Sequence, residues 1–210
     1  MVYFRTNSFA FRTGLSFLLL IFTIAFIGGC AKREHAAKLS IVQEPFIASP
    51  VPAESLEPGL SVLYFYQLFR SVNQLPRTEA VMRGGKPGPP IMQLNHRFGR
   101  GVEVFDSGAS QGVGMIMRGY LHLEKPGKYT FQAKSNDGFA LYLDGRLIIT
   151  DPGVHGDRLS DQGEVTVTEG GWFPVLIRYY QRKGTAALSL YWKSANGTDF
   201  VVIPPEAYAH

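Results

Sequence analysis

Cysteine is almost absent: Cys30 is the only one in 210 residues, so no internal disulfide can form. With one thiol and five histidines, no Cys/His cluster has the spacing of a structural zinc site. Charge is sparse at 18% and nearly balanced, with 21 Lys and Arg against 17 Asp and Glu. No basic run with interleaved aromatics occurs, so nucleic acid is not an expected partner. The main apolar run, Leu15–Ile27, has thirteen residues, short of the roughly 20 that a membrane span needs. No Gly-x-Ser-x-Gly elbow surrounds Ser107 or Ser110, which removes the most recognisable hydrolase nucleophile. No internal repeat is present.

What the chain does have is 45% hydrophobic residues, 23 Gly and 13 Pro. Such a composition is globular and rich in turns, as in an all-β protein. The amino-terminal thirteen residues carry Arg5 and Arg12 and no acid, and the apolar run follows. That order is the n-region and h-region of a secretory signal. Removal of the signal takes away both arginines and leaves 19 basic against 17 acidic side chains, a net +2.

The run ends in Ile27-Gly28-Gly29-Cys30, which resembles the bacterial lipobox, where a small residue precedes a cysteine that becomes lipid-modified. The resemblance implies a lipoprotein signal peptide over 1–29 and lipidation at Cys30. Two or more acyl chains anchor a protein stably where one does not, so the lipid bilayer becomes the first expected partner. Among such lipoproteins, Ala rather than Asp after the cysteine implies passage to the outer membrane, and this chain has Ala31. Residues 30–58 then read as a flexible tether, with charge and with proline at 45, 50, 52 and 58.

From residue 59 to 210 the pattern is that of one antiparallel β-sandwich, jelly-roll-like. Tyr129, Phe131 and Ala133 alternate with polar neighbours, as do Val165 and Val167; Phe139, Leu141 and Leu143, and Leu188, Leu190 and Trp192, follow the same period. Asp144-Gly145 predicts a two-residue hairpin turn. Pro126-Gly127, Gly170-Gly171, Lys183-Gly184 and Asn196-Gly197 predict further turns. Residues 60–66 suit a strand, although Leu63, Gln67 and Arg70 would also suit a short helix. Residues 83–90, with three prolines, read as a loop.

Several ordered stretches in this half, Glu124–Phe131, Ser135-Asn-Asp-Gly138, Leu141–Gly145, Pro174–Tyr180, Ala186–Trp192 and Ile203–Tyr208, resemble the anthrax protective-antigen (PA14) domain family. The resemblance implies a β-sandwich used as an adhesive or accessory module, often for carbohydrate. Some members hold calcium between two loops, the first supplying two consecutive acids joined by a cis peptide. The matching positions are Asn136 and Asp137, and the best match for the second loop is Gln181, followed by Arg182, Lys183 and Gly184. Asn136 removes one carboxylate, and Arg182 and Lys183 bring positive charge. Calcium, which takes six to eight oxygens, is therefore disfavoured, and no resident cofactor is expected.

The candidate ligand-binding residues are Asn136, Asp137 and Gly138 of the first loop, His155 and Asp157 of the polar stretch Asp151–Asp161, and Gln181 and Lys183 of the last loop. The function expected is a membrane-anchored lipoprotein of the cell envelope that binds glycan and has no enzymatic activity. The alternative is a protein-interaction module of an envelope or secretion assembly. A hydrolytic pair drawn from Asp157 and Asp161 is the third reading, since glycoside hydrolysis needs two suitably spaced carboxyls.

Overall fold

A computed structural model describes residues 55–210. The expected signal peptide, Cys30 and nearly all of the tether lie outside the described residues. No helix among those described is long and apolar enough to cross a membrane.

The expected antiparallel β-sandwich is present. One sheet is built from β1 (Leu60–Tyr66), β2 (Lys86–Ile91), β4 (Val113–Leu123), β6 (Phe139–Leu143), β7 (Arg146–Asp151), β10 (Gly171–Gln181) and β13 (Tyr208–Ala209). Its strand order is β2-β1-β4-β10-β6-β7, with β13 added to β4. The second sheet holds β3 (Asn95–Phe98), β5 (Gly127–Asn136), β8 (Arg158–Leu159), β9 (Gly163–Val167), β11 (Ala186–Lys193) and β12 (Val201–Val202). There β11 pairs with β5, β3 and β12, and β5 pairs with β8 and β9.

Period-two alternation creates the core. Phe131 and Ala133 of β5, Phe139, Leu141 and Leu143 of β6, Phe173, Ile177 and Tyr179 of β10, and Leu188 and Leu190 of β11 are all fully buried between the sheets. Each large apolar side chain so buried stabilises the fold by roughly 1.5–3 kcal/mol. The Asp144-Gly145 turn forms as expected between β6 and β7, with φ of 48° and 74°. Positive φ at both central residues is the mirror-image turn whose twist matches a hairpin, and glycine adopts it without steric cost.

Two readings of the first half change. Residues 60–66 are strand and not helix, because β1 is paired on both sides, with β2 and β4. The expected loop over 83–90 is partly strand: Lys86–Ile91 pairs with β1 alone. An edge position tolerates Pro87, Pro89 and Pro90, since a missing N–H can face outward there. Between β1 and β2, Phe69, Val72 and Leu75 cover the outer side of the first sheet against Ala140 and Tyr180. The buried Arg178 side chain donates to the Val72 and Leu75 carbonyls beneath that cover. The described chain enters the fold beside its own end: Glu57 and His210 exchange both backbone hydrogen bonds, at 2.9 and 2.8 Å.

Candidate functional site

The turn Ser135-Asn-Asp-Gly138 sits where β5 leaves the second sheet for β6 in the first. Its Asn136–Asp137 peptide bond is cis, as the family resemblance implied. Two backbone bonds dock the turn on β10: the Asp137 N–H donates to the Tyr180 carbonyl and the Tyr180 N–H donates to the Gly138 carbonyl, both at 3.0 Å. Gly138 is needed for close approach, since a Cβ there would lie 2.5 Å from Tyr180 Cε1 and 2.7 Å from the Pro152 carbonyl oxygen.

Asp137 is only 3% exposed. Its carboxylate accepts the Arg182 backbone N–H at 2.6 Å and the His155 backbone N–H at 3.2 Å. Burial pushes its pKa up, and the two N–H donors oppose that rise. Asn136 donates through Nδ2 to Asp157 Oδ1 at 2.9 Å and to Thr185 Oγ1 at 3.0 Å, while its carbonyl accepts the Tyr179 hydroxyl at 2.7 Å. Three loops distant in sequence thus meet around one buried dipeptide.

The polar stretch after β7 is tied down twice. Asp151, at the end of β7, takes a two-pronged contact from the Arg158 guanidinium, one prong being Nε at 2.8 Å. That hydrogen bond holds the Asp151 carboxyl below its usual pKa range. His155 Nε2 lies 3.2 Å from the same carboxylate. Asp157 is flanked by Arg97 Nε at 3.0 Å and Lys134 Nζ at 4.0 Å, both facing Oδ2.

All seven candidate residues are accordingly brought to one end of the sandwich, though not in equal roles. Asn136, Asp137 and Gly138 are buried structural members of the junction. Gln181 ends β10 wholly buried, and neither atom of its side-chain amide has a hydrogen-bond partner among the described residues. The His155 side chain is buried against Asp151 at 5% exposure, Asp157 is partly exposed, and Lys183 stands exposed on the turn between β10 and β11. Sequence reasoning did not place Arg97, Thr185 or Tyr179 here. Arg97 is on β3, opposite Ala187 of β11, and only strand pairing across the second sheet puts it beside Asp157; no local signal marks it. Two further histidines pack on aromatic rings: His96 lies against Phe105 at 4.7 Å and His122 against Trp172 at 4.6 Å.

The donor set does not fit calcium. Both Asp137 oxygens face backbone N–H groups, Asn136 presents its Nδ2 to Asp157 and Thr185, and Arg97 faces the remaining Asp157 oxygen. Among the described residues no three Asp, Glu, His or Cys side chains converge as metal ligands. A hard cation needing six to eight oxygens finds here one buried carboxylate already engaged and a second flanked by positive charge.

Beside the loop cluster, on the outer face of the second sheet, a cavity of about 490 Å3 opens, with Asp157 and Arg158 in its wall and Tyr191 and Phe200 among its lining.

Comparison with known proteins gives the lineage of this arrangement. A PA14 domain model matches residues 70–205. No curated protein matches the chain in sequence. Among solved structures, an anti-sigma factor domain-containing protein from Clostridium clariflavum is 19% identical with a TM-score of 0.58, over 72% of this chain and 47% of that one. The chain thus spans about half the length of that relative. The PA14 sugar-binding domain of an RTX adhesin is 17% identical with a TM-score of 0.56, over 73% of this chain and 98% of its own. The A domain of epithelial adhesin 6 from Candida glabrata, in complex with Galb1-3GlcNAc, is 14% identical with a TM-score of 0.54, over 76% of this chain and 89% of its own. At these identities the likeness is one of fold.

Proposed function

The chain belongs to the PA14 domain family, and from that premise we propose that it is a carbohydrate-binding module carried on a membrane by acyl groups at Cys30. The observation that carries the binding reading is the convergence of three polar loops on the Asn136–Asp137 dipeptide. A sugar presents hydroxyls that each need a donor or an acceptor, and specificity comes from a few polar groups held rigidly. Asp157 and Lys183, the outer members of the cluster, meet the ligand; Asn136, Asp137 and Gly138 hold the loops beneath them, with the His155 and Gln181 side chains buried alongside. The sugar-binding RTX adhesin domain and the Candida adhesin with its bound disaccharide, both of this fold, support the ligand class.

Anchoring rests on the order of charge, apolar run, small residues and sole cysteine at the amino terminus. Lipidation of Cys30 replaces a membrane-spanning helix, and Ala31 supports an outer-membrane address in the cell envelope. In this reading the sandwich binds, and no residue of it acts as a catalyst.

A glycan array probed with the full chain tests the binding. Saturable binding to at least one glycan, weakened several-fold in Lys183→Ala, is the expected result. Binding above background to no glycan at millimolar concentration would overturn it. The anchor is tested by Cys30→Ser, which should move the protein from the membrane fraction to the soluble one; unchanged retention would mean that something other than the lipid holds it.

A further inference from the structure

The cavity on the outer face of the second sheet has a composition the loop cluster does not explain. Its volume of about 490 Å3 falls within the roughly 300–1,000 Å3 of small-molecule sites. Strand alternation builds its floor. Tyr191 of β11 lies directly opposite Gln132 of β5, and Lys134, two residues on, shares that face and pairs on its other side with Leu159 of β8. Tyr191 and Phe200 are partly exposed aromatic walls, and the Lys193 ammonium stands 5.7 Å from the Phe200 ring centroid. An open, rigid aromatic surface beside fixed polar groups accepts a ring with one apolar face and a hydroxylated edge.

Charge then selects among such rings. Asp157 is the only acid among the lining residues described, and it already faces both Arg97 and Lys134. Arg158 is matched by Asp151, which lies behind the wall. Arg97 and Lys134 are therefore two cations facing one carboxylate, and the Lys193 ammonium near Phe200 adds a third positive charge beside the aromatic wall. An excess of one sign in a concave site favours a ligand of the other sign.

We propose that this cavity is a second saccharide site and that its ligand is an acidic one, a saccharide bearing ring carboxylates. The pyranose ring lies against Tyr191, its carboxylate meets Lys134 and Arg97, and its hydroxyls bond Gln132 and Asp157. The proposal shares with the loop reading the premise that the ligand is a sugar and the residue Asp157 at the border of the two sites, and it is tested on Lys134 and Tyr191, which the loop reading does not use.

Calorimetric titration of the full chain with trigalacturonic acid and with its methyl ester, at low ionic strength, tests it. The two probes share rings and hydroxyls and differ in charge. The acid should bind about two- to fivefold more tightly than the ester, the size expected of a charge pair at a partly exposed site. Lys134→Met should abolish that preference, Tyr191→Ala should weaken acid and ester alike, and Arg70→Met, a charge removed beyond the other sheet, should leave the preference unchanged. Equal binding of acid and ester overturns the proposal. So does a preference that survives Lys134→Met, one that Arg70→Met also removes, or displacement of the acid by equimolar inorganic phosphate. Array binding that persists while the acid preference is missing sinks this site and spares the loop site; the acid preference without array binding supports this site alone.

Discussion

Asp137 and Arg182 are 45 residues apart in sequence, and the carboxylate of the first accepts the backbone N–H of the second at 2.6 Å. With the His155 N–H on its other oxygen, this one side chain joins the β5–β6 turn, the polar stretch after β7 and the turn after β10. The loop end is therefore preorganised by a buried acceptor, and a ligand arriving there meets loops that need little further ordering.

Asp137→Ala should leave two backbone N–H groups without their acceptor. One unsatisfied buried donor costs about 1–3 kcal/mol, so a loss of about 3 kcal/mol is expected in urea unfolding, read as a lower midpoint at unchanged slope. A loss well under 1 kcal/mol would show that the junction holds without this carboxylate.

Calcium should leave the melting temperature almost unmoved. A ligand at a hundred times its dissociation constant adds about 2.7 kcal/mol to stability. Millimolar calcium that raised the melting point of the full chain by several degrees, reversed by chelator, would contradict the reading of Asn136, Asp137 and Asp157 as already engaged.

The Asp151–Arg158 pair carries a pH signature. Asp151 has a folded pKa lowered chiefly by its hydrogen bond from Arg158, so its contribution is present above the unfolded value of about 3.9 and is lost as pH falls through the folded value. Asp151→Asn should cost about 1 kcal/mol at pH 7, a figure held down by the exposure of Arg158. Below pH 3.9 the two unfolding curves should converge. Asp137 is shifted the other way and weakens the fold as pH rises through its own raised pKa, but it is common to both proteins and drops out of the difference. A cost independent of pH would assign the effect to packing and not to charge.

The second half of the fold was legible because its signals are local. Phe139, Leu141 and Leu143 repeat at the strand period, and Asp144-Gly145 names its own turn; both are where the pattern put them. The first half was harder to read for a physical reason. Lys86–Ile91 carries three prolines and no alternation, and it is a strand only because β1 offers an edge to pair with. The candidate site divided along the same line. The turn residues Asn136, Asp137 and Gly138 announce themselves by type, whereas Arg97, Thr185 and Tyr179 reach it only through strand register.

From sequence alone came the strand period, the turns and the family likeness with its cis-peptide turn, since each depends on residues adjacent in the chain. Which groups share a charge, which face the solvent and which lie buried was decided by tertiary structure. Asp157 is an unremarkable loop acid until β3 brings Arg97 and β5 brings Lys134 to its side, and Asp137 becomes an internal clasp only when two distant backbones close over it. Long-range pairing sets those distances, and electrostatic and hydrogen-bond energies depend on distance and burial more than on residue type.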